Sequence, residues 1–258
     1  VYSLHAGANL LSFPDPSDYD IGEAIPDDVE GFITGIIGEG VAAAPNTTLG
    51  WVGSLSALQG LKGYWFKASE DISFSFNLSN PLLRAETYEY IEYSQEYAQS
   101  TQQAFYFIDK IKTESADELN DGWIITYFHG KVTGSRRWTG DMIDIPVMGI
   151  DGNSYSQGYL HTGETPQFKY LDNTTGKLTD LYHGDIPQWE NNGTYILGSM
   201  DVKEILPQEI MLSTYPNPFN PTTTLSFTMQ NEGMLQLSIY NISGQLVSEL
   251  AHENRTPG

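Results

Sequence analysis

The chain has 258 residues, with 33 acidic side chains against 12 basic ones for a net charge of −21, and no cysteine. That charge leaves no basic footprint for nucleic acid and opposes docking on an anionic membrane surface, while the lack of cysteine excludes disulfides, thiolate metal sites and cysteine nucleophiles. Apolar residues make up 40% and charged ones 17%, a balance that favours strands and turns over long surface helices, and no apolar run reaches the ~18–20 residues of a membrane-spanning helix.

Residues 1–80 read as one small β module. Leu4–Pro14 is a short apolar strand ended by proline, and Asp15–Asp28 is an acidic connection. Glu30–Ala44 carries four glycines among apolar residues, which suits short strands and tight turns. Ile72, Phe74 and Phe76 alternate with polar residues at the period of a half-buried strand. The stretches Gly7-Ala8-Asn9-Leu10-Leu11-Ser12-Phe13-Pro14 and Gly60-Leu61-Lys62-Gly63-Tyr64-Trp65-Phe66-Lys67 resemble the opening and closing marks of a small repeat module found beside secretion modules in Bacteroidetes surface proteins. That family usually has Trp where this chain has Ala8, and the resemblance implies no activity.

Residues 81–204 read as a β-sandwich-like module. Tyrosines at 88, 90 and 93 precede the strand-like Ala104-Phe105-Tyr106-Phe107-Ile108, and Ser115–Asp121 is a helical turn or a loop. Two strands flank a His129-Gly130 turn, and a further hairpin surrounds Asn173-Thr174-Thr175-Gly176. Strands at this spacing suggest an antiparallel sandwich.

Residues 205–258 begin with a proline-rich run, Tyr215-Pro216-Asn217-Pro218-Phe219-Asn220-Pro221. Proline fixes φ and disfavours helix in the residue before it, so this run reads as a stiff extended spacer. Leu225, Phe227 and Met229 share one face of a strand, and Leu235, Leu237 and Ile239 one face of the next, with Asn231-Glu232-Gly233 as the expected hairpin turn between them. The proline run and Ile239-Tyr240-Asn241-Ile242-Ser243-Gly244-Gln245-Leu246-Val247 resemble the C-terminal sorting domain of type IX secretion substrates. The resemblance implies an Ig-like module, an exported surface or extracellular protein, and the type IX machinery as a partner. It also implies strands and a terminal segment beyond Gly258, so an open sheet edge is expected here, and the chain's start at Val1 fits removal of a signal peptide.

Candidate sites are few. Asp151 and Asn153 in Asp151-Gly152-Asn153, with Asp172 and Asp180 in a similar acidic loop, offer oxygen ligands for calcium; ordinary turns place the same residues. Trp138 and Trp189 follow polar residues and are expected to be exposed, as a carbohydrate-stacking surface would need. His5, His129, His161, His183 and His252 are scattered without metal or triad spacing, Gly53-Ser54-Leu55-Ser56 lacks the second glycine of a nucleophile elbow, and Asp185 and Glu190 form only a generic acidic pair. No catalytic residues are assigned. The expectation is an all-β, non-catalytic surface protein that is structural or adhesive, able to polymerise with itself through strand edges, with Leu4–Phe13 as the donor strand and Leu237, Ile239 and Leu246 on the accepting face. The alternative is a module that binds surface polysaccharide.

Overall fold

The computed structural model describes residues 1–79, 81, 97–113, 118–202, 212–215, 218, 221–227, 229 and 232–255. Tyr88, Tyr90 and Tyr93, residues 115–117 of the Ser115–Asp121 stretch, and Pro216, Asn217, Phe219, Asn220 and Asn231 lie outside them. The chain is all-β and divides into two compact units, Val1–Lys203 and Glu204–Gly258. Among the described residues no helix is long and apolar enough to cross a membrane.

In chain order the first unit has strands β1 (Tyr2–Leu4), β2 (Gly7–Ser12), β3 (Tyr19–Asp20), β4 (Ile33–Ile37), β5 (Ala42–Asn46), β6 (Gly50–Val52), β7 (Ala57–Leu58), β8 (Gly63–Ala68), β9 (Ile72–Phe74), β10 (Gln103–Lys112), β11 (Gly122–Phe128), β12 (Lys131–Trp138), β13 (Ile143–Met148), β14 (Gln167–Asp172), β15 (Leu178–Tyr182) and β16 (Thr194–Val202). The acidic connection contains single-turn helices at Ile21–Ala24 and Asp27–Glu30. Asp20 caps the first by accepting from the Gly22 and Glu23 N–H groups.

One antiparallel sheet has the order β2-β8-β4-β5-β6. The expected Leu4–Pro14 strand is broken at His5-Ala6, where the Asn9 side chain accepts from His5 N and donates to the His5 and Gly7 carbonyls. This corner sends β1 to pair with β9 and β2 to pair with β8. Leu11, Phe13, Tyr64, Phe66 and Phe74 meet in the core beneath.

The second sheet has the order β12-β11-β14-β15-β16-β10-β13. It is mixed rather than antiparallel throughout, because β10 runs parallel to β16. Its edge strands come back together: the Thr126 hydroxyl on β11 lies 3.2 Å from the carbonyl oxygens of both Gly134 on β12 and Pro146 on β13. The curled sheet encloses Tyr106, Ile124, Trp138, Ile145, Phe168, Trp189 and Met200. The other face of β10 carries Phe105 and Phe107 against Ile37, Ala42, Ala44 and Val52 of the first sheet. Both faces of β10 are therefore buried, as its unbroken apolar run requires.

The second unit contains β17 (Leu212–Tyr215) paired antiparallel with β18 (Thr224–Phe227), and β19 (Gly233–Tyr240) paired with β20 (Leu246–Arg255). Among the described residues β18 and β19 belong to different sheets and do not pair with each other as the expected hairpin. Most of the proline run lies outside the described residues; the strands on either side of it pair with Tyr215 opposite Thr224.

Candidate functional site

The most heavily constructed polar cluster joins the two sheets of the first unit. Asp144 on β13 and Arg136 on β12 are both buried and form an ion pair at 2.8 Å. Arg136 also donates to the Asp144 and Gly40 carbonyls, at 3.0 and 2.9 Å. Asp144 accepts from the Ser54 amide and, at 3.0 Å, from the Ser54 hydroxyl. Burial pushes the Asp144 carboxyl up; the Arg136 guanidinium and the two Ser54 donors pull against that rise. Nearby, the Gln103 side chain donates to Gly38 O at 2.8 Å and accepts from Gly40 N at 3.1 Å. Each polar group here is spent on holding a loop of the first sheet against the second. Ser54 thus serves as a tie, its hydroxyl committed to a carboxylate already claimed by arginine.

The residues expected to bind calcium are placed separately. Asp151 accepts from Asn153 N, Tyr155 OH, Ser156 Oγ and Thr101 N, which organises the turn before the single 3₁₀ turn Ser154–Ser156. Its partial burial raises its pKa, but these hydrogen bonds outweigh that and hold the carboxyl below the usual range. Asp172 accepts from Thr174 N and Thr175 N in the β14–β15 turn, and its pKa is lowered chiefly by the Thr175 bond. Asp180 stands opposite Lys169 and is paired with it at 2.8 Å. Among the described residues no group of three His, Asp or Glu side chains is placed to share a metal ion. The carboxylates act as turn and ladder residues, each with donors of its own.

Trp138 and Trp189 are not exposed as expected; they are 0% and 2% accessible. The Trp138 indole donates to Leu119 O and that of Trp189 to Val147 O, the latter at 2.9 Å. Polar neighbours in sequence misled because β12 alternates: exposed Arg137 lies on one face, with Arg136 and Trp138 on the other. Asp185 and Glu190 are exposed beyond the buried Trp189.

The second unit presents a different surface. At the tip of the β19–β20 hairpin, Asn241 Oδ1 accepts from Ser243 N at 2.9 Å and Gln245 N at 3.0 Å, and Asn241 N donates to Gln245 O at 3.0 Å. Gly244 completes the turn at φ 76°. Ile242 stands on this fixed turn wholly exposed, and Tyr240 and Leu246, opposite each other at its base, are 60% and 58% exposed. Glu232 is the only charged side chain between Ile210 and Ser248. The Asn241-Ile242-Ser243 triplet fits a glycosylation pattern, yet its asparagine is the residue that builds the turn.

No curated protein matches the chain. Residues 213–256 match the family described as the secretion system C-terminal sorting domain. The chain therefore carries a type IX sorting tail: it is a secreted or cell-surface protein that interacts with that secretion machinery.

Proposed function

We propose that the exported chain is a non-catalytic structural or adhesive protein that associates with further copies of itself through strand edges. The observation that supports this most directly is the outer strand β2, which among the described residues pairs only with β8 and carries exposed Leu10. An outer strand offers unpaired N–H and C=O groups to an added strand. The commitment of Asp144, Arg136, Ser54 and Gln103 to loop anchoring supports the non-catalytic part of the reading.

The donor strand needs revision. Leu4, Leu11 and Phe13 are core residues, so swinging Leu4–Phe13 out would open the first core, and edge addition on β2 fits better than exchange of that segment. A polysaccharide platform at Trp138 and Trp189 lacks exposed rings. The test is light scattering and electron microscopy of the purified chain and of Leu10→Lys, a charge that blocks edge pairing without entering the core. Polymers lost in the variant support the reading; a wild-type chain that stays monomeric at high concentration ends it.

A further inference from the structure

We propose that Asn192-Gly193 is a latent modification site: the fold holds it closed, and once the turn opens Asn192 deamidates to aspartate or isoaspartate and the turn does not close again. It is the only Asn-Gly step in the sequence, and it leads directly into β16.

The fold demands both residues. Asn192 has φ 58°, a left-handed backbone that asparagine tolerates better than most residues with a side chain. A methyl group on Gly193 would lie 2.5 Å from the Tyr195 ring. That ring packs against Tyr106 with centroids 4.7 Å apart, so it has little room to give. The same pair is chemically labile, because glycine puts no side chain beside the nitrogen that attacks and leaves the backbone free to turn towards it.

The reaction runs through the Gly193 nitrogen. It loses its proton and attacks Asn192 Cγ; the new N–Cγ bond closes a succinimide ring, the Cγ–Nδ2 bond breaks, and ammonia leaves. Water then opens the ring at either carbonyl. The folded turn opposes each step. The Gly193 N–H donates to Glu190 O at 2.9 Å. The backbone on both sides is pinned to β10: Asn192 N donates to Gln103 O at 2.7 Å, Phe105 N to Gly193 O at 2.8 Å, and Gln103 N to Asn191 Oδ1 at 3.1 Å. Asn192 is also 7% exposed, which keeps water away.

The products suit this turn badly. Isoaspartate adds one carbon to the main chain and carries Gly193 O away from Phe105 N, where the parallel pairing of β10 with β16 begins. Either product places a carboxylate in a nearly buried position beside Glu190, at a desolvation cost that the amide does not carry. A chain that has been open long enough is therefore marked, and the mark keeps it open.

The experiment incubates the purified full chain in mildly alkaline buffer, folded and in guanidinium chloride. Mass spectrometry of the peptide spanning Asn192 follows the change from amide to acid and the appearance of isoaspartate. Conversion at Asn192 is expected to be about tenfold or more faster in the unfolded chain, since the folded chain reacts only through its open fraction. Equal rates in the two states overturn the proposal. The denaturant is then removed and the folded fraction isolated by size-exclusion chromatography. Converted chains are expected to be depleted from the folded peak about fivefold or more; converted chains that enter that peak at their input share overturn the proposal. Asn192→Gly keeps the left-handed backbone and has no amide to lose, so it is expected to refold as fully after long unfolding as after brief unfolding. An Asn192→Gly chain that loses refolding at the wild-type rate places the damage elsewhere and overturns the proposal too.

Discussion

A methyl group placed on Gly134 would lie 1.9 Å from the Pro146 carbonyl oxygen, a backbone atom with nowhere to move. Gly134 lets the two ends of the curled sheet touch. Gly134→Ala is expected to cost about 3 kcal/mol, read as a shift of the urea midpoint. Gly152 makes the useful contrast. It has φ 87° and open space around it, so Gly152→Ala meets only backbone strain, about 1 kcal/mol. The Arg136–Asp144 pair gives a second prediction. Asp144→Ala leaves a buried guanidinium unpaired and is expected to cost about 3–5 kcal/mol. Arg136→Met combined with Asp144→Leu is expected to cost less than the sum of the single changes, because no charge is stranded; a double-mutant cycle measures the difference.

At the scale of the strand, local chemistry was legible and partnership was not. His129 and Gly130 both have positive φ and close β11 onto β12 as their dipeptide suggested. The alternation of Leu225 and Phe227 with exposed Thr224 and Ser226 is present in β18. β13 was hidden because Pro146 sits in the middle of it, where a ladder hydrogen bond is lost. β16 was hidden by Gly198, which marks the bulge in its pairing with β10. The partner of β18 could not be read, since alternation sets which face is apolar and says nothing about which neighbour supplies the hydrogen bonds. The site was less legible still. Asp144 did leave a signal, one acid within the apolar run Ile143–Met148, but its partners Ser54 and Gly40 are remote in sequence. Asn241 gives the element-level prediction: Asn241→Ala removes two turn hydrogen bonds and is expected to weaken the hairpin by about 1–2 kcal/mol. Faster amide exchange confined to β19–β20 would record it.

For the whole molecule, charge sets the response to solution conditions. With a net charge of −21, self-repulsion opposes compactness, and raising salt from about 0.05 to about 0.5 M is expected to raise Tm. Acid acts through specific groups. Asp151 and Asp172 ionise at lower pH in the fold than in the unfolded chain, where aspartate titrates near ~3.9. The stability they contribute is complete above that value and is lost as pH falls below it towards their folded values. Asp151→Asn is accordingly expected to flatten the acid limb of the stability curve, measured by urea unfolding across that range. Folding speed follows from the tie between the sheets. Ser54 meets Asp144 across 90 residues and Gly40 meets Arg136 across 96, whereas β19 and β20 join residues at most 22 apart, at Gly233 and Arg255. Non-local pairing slows folding by orders of magnitude. The second unit, made after the first on the ribosome, is thus the quicker to take shape, and the address is ready to be read while the cargo is still searching for its own ends.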